Sequence, residues 1–153
     1  MRSVLPSSFE RYGDSLSPLS FRNKSGNLIE IFVYNDRLFR VRHFPPGQEH
    51  VGTDLDCDRL HPTDQFTLRS EELKYFITTA TVQLEIRLTD FQLVWSTMEN
   101  VFLTDLPFRA YEYDKDGGVS HYVQKVADDY HYGLGERSSP LDLNGRRYIA
   151  TLK

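Results

Sequence analysis

Proton-transfer chemistry in this chain would have to come from a thinly spread set of groups. The five histidines, His43, His50, His61, His121 and His131, lie far apart in the sequence, and imidazole is the side chain whose ordinary pKa suits acid–base work near neutral pH. His43, His121 and His131 fall on or near segments of strand pattern. Together with Glu136 they are the candidates for a general acid and base. A second chemistry, stacking on a sugar ring, needs an aromatic face with an apolar body and a polar edge. Trp95, Tyr111, Tyr113, Tyr130 and Tyr132 are the candidates for it, joined by Glu136 and Arg137 as polar ligands. Alternation along a strand puts Tyr111 and Tyr113 on one face, and Tyr130 and Tyr132 on another. Packing of strand against strand competes for all five rings.

Other chemistries fail on spacing. "EYDKDGG" offers Glu112, Asp114, Asp116 and Gly117 in the phase of a calcium loop, but Val123 stands where the bidentate Glu belongs. The segment reads instead as a hairpin turn over 114–118, with glycines for positive φ. Asp54, Asp56, Asp58, Cys57 and His61 mix hard and soft donors at no recognised metal-ligand spacing. They read as a solvated acidic loop, so neither a metal nor a cofactor is expected. The single cysteine, Cys57, forms no internal disulfide and reads as a buried, inert thiol. No G-x-S-x-G nucleophile elbow is present. "GLGERSSP" lacks both the third glycine of a dinucleotide fingerprint and the lysine of a P-loop.

The elements that must position these residues are strands. In "TVQLEIRLTD", Val82, Leu84, Ile86 and Leu88 alternate with Gln83, Glu85 and Arg87, the pattern of a half-buried strand. "NLIEIFVYND" is a more apolar strand, and "RLFRVRHF" sets Phe39, Val41 and His43 opposite Arg40 and Arg42. Asn35-Asp36 between them signals a hairpin. Further strands are expected at 65–69, 74–80, 91–96, 101–103, 108–113, 119–126 and 146–152. Residues 45–64, with three prolines and two glycines, read as a long irregular loop. Residues 1–16 read as an N-terminal extension. No amphipathic helix and no internal repeat is visible. About ten short strands separated by turn signals, in 153 residues that are 13% aromatic, predict a single all-β domain, a sandwich or barrel, spanning 1–153.

Charge and hydropathy narrow the partners. A net charge of −4 with no basic stripe argues against nucleic acid. No apolar run approaches the ~18 residues of a membrane helix, so no membrane partner is expected. "MRSVLPSSFERYG" lacks the apolar core of a secretory signal, and a cytoplasmic location is the expectation. Asn23-Lys24-Ser25 is formally a glycosylation sequon.

One resemblance organises the rest. "YHYGLGERSSPLDLNGRRY", residues 130–148, resembles the end of the N-terminal domain of family-31 glycoside hydrolases, the α-glucosidases and α-xylosidases. "FRNKSGNLIEIFVYNDRLFRVRHFP" resembles the early strands of that domain, and "ITTATVQLEIRLTDFQLVW" its central hairpin. "YEYDKDGGVSHYVQKVADDYHYGLGER" resembles its closing strands, and Ser139–Leu143 the fungal-type continuation. The likeness runs from Leu19 to Leu152. It implies an antiparallel β-sandwich of the galactose-mutarotase-like (supersandwich) type.

The resemblance does not carry the family's activity to this chain. The family cleaves sugars with two Asp residues on a (β/α)₈ barrel, which takes about 250 residues, and no such length follows Lys153. "WSTMEN" superficially matches the family's W-x-D-M-N-E segment, but Thr97 stands in place of the nucleophile and Glu99-Asn100 reverses the ending. Glycosidase activity by this chain alone is therefore not expected. Three readings remain open: a stand-alone carbohydrate-binding or carbohydrate-related sandwich, a small isomerase, cyclase or lyase with its own cavity, and an interaction module. The third would self-associate or meet a partner protein through the edge from Tyr132 to Tyr148. Gly133 and Gly135 read as a bend, which Glu136 and Arg137 would fix or border.

Overall fold

A strand that alternates apolar and polar residues leaves one wet face and one face that must be covered. Here two sheets cover each other. The computed structural model describes residues 3–4, 8–47, 60–113 and 119–126, and among them there are twelve strands and no helix. A four-stranded sheet runs β2 (Phe9–Arg11), β3 (Leu19–Asn23), β4 (Leu28–Val33), β5 (Phe39–Phe44) in that order. The five-stranded sheet is ordered β10 (Val101–Thr104), β9 (Gln92–Ser96), β8 (Gln83–Arg87), β7 (Lys74–Thr78), β6 (Thr67–Glu71). A small third sheet places β11 (Tyr111–Tyr113) between β1 (Ser3–Val4) and β12 (Val119–His121). Every pairing is antiparallel. The fold is an all-β sandwich, as the strand pattern predicts.

The hairpin signals resolve into named hydrogen bonds. Asn35 Oδ1 accepts from the backbone N–H groups of Arg37 and Leu38, both at 2.8 Å, and closes the β4–β5 turn in the way short polar side chains do. The register that follows, from Leu28↔Phe44 to Val33↔Phe39, turns Phe39, Val41 and His43 inward. Leu84 and Ile86 are fully buried while their alternating neighbours Gln83, Glu85 and Arg87 are half-buried. Glu85 pairs with Lys74 at 2.9 Å and with Arg87 at 2.7 Å, so the outer face of β8 is clothed in charge.

The core lies between the two larger sheets. Phe21, Ile29 and Ile31 meet Ile77, Leu84, Ile86 and Leu93 there, all essentially without exposed surface. Phe91 sits at the centre, its ring centroid 4.7 Å from that of Phe9 and 5.5 Å from that of Phe21. Fully burying a side chain of this size contributes about 1.5–3 kcal/mol. Phe9 therefore corrects the expectation for residues 1–16. Part of that segment is not an extension but a strand of the sandwich. Phe9 is 2% exposed, β2 pairs with β3, and the N–H groups of Ser8 and Phe9 donate to Thr89 and Leu88 of the opposite sheet, each at 2.8 Å. Sequence pattern misses β2 because three residues are too few for a period to register.

Two other boundaries move. The strand expected at 108–113 begins only at Tyr111, because Phe108 has φ +59° and Arg109 closes a turn onto the Leu106 carbonyl at 3.2 Å. The strand expected at 119–126 stops at His121, and Val123 makes a single bridge to Asp105. Asn23 of the sequon is buried, its Oδ1 accepting the Asn27 N–H at 2.9 Å. The turn expected at 114–118, the strand at 146–152, Cys57 and most of the loop 45–64 lie outside the described residues.

The inter-sheet role of Phe9 gives a direct expectation. Phe9→Ala lowers unfolding free energy by about 3–5 kcal/mol, the usual cost of a large aromatic cavity. A urea midpoint unchanged from that of the native chain would place β2 outside the cooperative core.

Candidate functional site

Among the described residues, a buried cluster of ionisable groups is built around Asp105, which follows β10 and is 0% exposed. Its backbone N–H donates to the Leu93 carbonyl at 3.0 Å, and its carbonyl accepts from Gln92 Nε2 at 2.8 Å. The carboxylate does two further things. Oδ2 accepts the Leu93 N–H at 3.0 Å, and Oδ1 lies 2.7 Å from His121 Nε2. An ionised carboxylate only accepts, so the proton of a neutral His121 belongs on Nε2. Asp105 thus fastens β12 to β9.

From His121 a stack of rings runs inward. The imidazole lies parallel to Tyr111, 4.5 Å between centroids and 5° between planes. Tyr111 in turn lies 3.9 Å from His43, and His43 stands edge-on to Phe91 at 6.3 Å. Burial, with a smaller contribution from charge on His121, lowers the His43 pKa to about 3. A general base works best with a pKa near the operating pH. His43 is therefore a neutral packing group at physiological pH. His121 is the solvent-facing member, with 43% of its side chain exposed. Beside this stack, Glu112 is buried and held by Arg109 Nε at 2.6 Å and by the Tyr122 hydroxyl at 3.0 Å.

The structure brings together three of the sequence candidates, His43, Tyr111 and His121, which the sequence scatters. Tyr111 is 5% exposed, so its faces serve the stack. Trp95 is half-buried against the core, with Phe39 edge-on to it at 5.1 Å. Tyr113 pairs with Ser3 and Val119 through its backbone. Tyr130, His131, Tyr132, Gly133, Gly135, Glu136, Arg137 and the edge from Tyr132 to Tyr148 lie outside the described residues, as does His50. His61 is exposed. Thr97, from "WSTMEN", is a turn residue whose Oγ1 accepts from the N–H groups of Glu99 and Asn100 at 3.3 and 3.2 Å.

Concave surface lies elsewhere. A cleft of about 300 Å³ opens between β10 and residues 123–126, lined by Val101, Phe102, Leu103, Val123 and Val126 among others. Among the described residues no histidine lines it. Among the described residues no group of three His, Cys, Asp or Glu side chains is placed to hold a metal ion, and no helix is long and apolar enough to cross a membrane.

One exposed residue escapes sequence reasoning. Phe108 combines φ +59° with 76% exposure, and its backbone N–H donates to Asp90 Oδ2 at 2.7 Å. Pro107 ahead of it is a turn signal, but nothing local reveals that the ring would stand in solvent.

Comparison with known proteins gives a consistent picture. The model of the glycosyl hydrolase 31 N-terminal galactose mutarotase-like domain matches residues 28–151. No curated protein matches the chain. Among solved structures, the GH31 dextranase of Flavobacterium johnsoniae complexed with glucose is similar over 94% of this chain, with TM-score 0.73 and 16% identity. A mutant of that dextranase complexed with isomaltotriose matches equally well. In both cases this chain spans 18% of the length of the dextranase. At this identity the likeness concerns the fold.

Two measurements test the stack. His43 is held below its ordinary value of 6.5, so between that pH and about 3 the unfolded chain binds a proton that the folded chain refuses. The stability contributed by neutral His43 is complete above pH 6.5 and declines on acidification, by about 2 kcal/mol at pH 5. His43→Phe removes this component, and denaturation curves at pH 7 and pH 5 should show a smaller acid loss than in the native chain. Parallel acid losses would contradict a neutral, buried imidazole. Asp105→Ala strands the buried Leu93 N–H and releases His121, at a cost of about 2–4 kcal/mol. Asp105→Asn, which keeps an acceptor oxygen, should cost less by chemical denaturation.

Proposed function

This chain belongs to the family of glycosyl hydrolase 31 N-terminal galactose mutarotase-like domains, and from that premise we propose that it is a non-catalytic, carbohydrate-binding β-sandwich. The observation that carries the reading is the likeness of nearly the whole chain to part of a dextranase complexed with glucose and, as a mutant, with isomaltotriose. The sugars it meets are α-linked glucose oligosaccharides of that kind.

The internal chemistry supports binding without cleavage. Retaining glycoside hydrolysis sets two carboxyl groups about 5–5.5 Å apart across the scissile bond, one of them protonated. The two buried carboxylates among the described residues are both engaged, Asp105 by Leu93 and His121, Glu112 by Arg109 and Tyr122. Neither lines the apolar cleft beside β10. A cavity enzyme needs convergent polar groups in an apolar pocket, and His43 is committed to packing instead. Binding therefore fits the arrangement better than isomerase, cyclase or lyase chemistry.

Isomaltotriose added to the purified chain should produce a saturable change in intrinsic fluorescence. Dextran incubated with the same preparation should release no glucose. Saturable binding without release supports the reading, and either a flat titration or sustained glucose release overturns it.

A further inference from the structure

Two phenylalanines of this chain occupy the left-handed backbone region, Phe91 at φ +49° and Phe108 at φ +59°. A bulky L-residue is disfavoured there because its Cβ crowds the backbone, and glycine or asparagine normally takes the position. Asp90 links the two sites. Asp90 immediately precedes Phe91, and its Oδ2 accepts the Phe108 N–H at 2.7 Å while Oδ1 accepts from the Thr89 hydroxyl at 3.3 Å. At Phe91 the strain has an evident return, because the ring is completely buried against Phe9 and Phe21. At Phe108 there is no such return. The ring is mostly in water, and its chain neighbours Pro107 and Arg109 are exposed as well.

The turn is nevertheless firmly made. Asp90 clamps Phe108 from the β8–β9 turn, and the Arg109 N–H reaches the Leu106 carbonyl. Arg109 is itself fixed, paired with Glu112 at 2.6 Å with its guanidinium over the Tyr122 ring at 4.9 Å. Pro107 adds a backbone of fixed φ. A rigid loop thus holds one apolar ring out in solvent, bordered by charged side chains. The turn uses the left-handed conformation, but no packing rewards a phenylalanine in adopting it. A bulky apolar side chain strained into solvent points to function.

We propose that Phe108 is a sugar-stacking residue, taking the apolar C–H face of one glucose unit of an α-linked oligosaccharide. This rests on the carbohydrate-binding reading above and names the contact that reading lacks, since Trp95 and Tyr111 are occupied in packing. A single ring with polar neighbours suits a pyranose, which has an apolar face and a rim of hydroxyls. An aromatic face supplies the apolar half of that contact.

The test titrates isomaltotriose into the full chain by calorimetry, with saturation-transfer NMR to identify the sugar protons that meet aromatic protons. Phe108→Gly should weaken binding by about tenfold, with a urea midpoint equal to or above that of the native chain. Phe108→Tyr keeps a ring and should bind within about threefold of the native chain. Equal binding by the native chain and Phe108→Gly would overturn the role of Phe108 while leaving the carbohydrate reading intact. No binding by the native chain would overturn both. Loss of binding with a markedly lowered urea midpoint would make the ring a structural element and overturn the proposal.

Discussion

The sandwich is held in register by a bend that is expensive in backbone terms and fully offset in packing terms. At Asp90-Phe91 the chain leaves β8 and enters β9 through a left-handed residue, and that residue drives a benzyl group into the centre of the molecule. Phe9 and Phe21 from the opposite sheet close on it, and His43 stands edge-on to it. An ordinary turn would aim this ring differently. The four-stranded sheet would then lose its contact with the five-stranded one at its most buried point. Because β2 also hydrogen-bonds to Leu88 and Thr89, the same bend fastens the sheets through backbone as well as side chains.

A polar network sits directly beside this apolar one. Asp105 has no exposed surface, and such a group is tolerated only when its oxygens are satisfied. The Leu93 N–H and His121 do this. The outcome is orientation: β12 is fixed relative to β9, and the Tyr111 ring is in contact with both imidazoles. Two of the histidine candidates, His43 and His121, are thereby engaged in packing and fastening, while His131 lies outside the described residues. Acid–base chemistry needs a group free to gain and lose a proton near neutrality, and burial removes that freedom from His43.

Membership of the glycosyl hydrolase 31 N-terminal family fits this division of labour. Among the described residues the buried carboxylates, Asp105 and Glu112, hold neighbouring segments together. Phe108, the most exposed aromatic ring among the described residues, stands on a loop anchored to the same Asp90 that precedes the central bend. The central bend and the exposed ring thus share one anchor.

Local pattern made much of the architecture legible. The alternation in 82–88, the Asn35-Asp36 turn and the inward set Phe39, Val41 and His43 are properties of neighbouring residues, and they reappear as strands, turn and buried face. The family resemblance was legible too, because its segments occur in order along the chain. Three-residue β2 was not, nor was the strain at Phe91 and Phe108, since neither a period nor a turn motif marks them. Which histidine meets which tyrosine, and which aromatic stays in solvent, was decided only by tertiary structure. The His43–Tyr111 contact joins different sheets and strands distant in sequence, and the Tyr111–His121 stack follows from the β11–β12 register, so both exist only once sheet pairing has set the register. Periodicity determines that a face is buried; what it is buried against is a property of the folded whole.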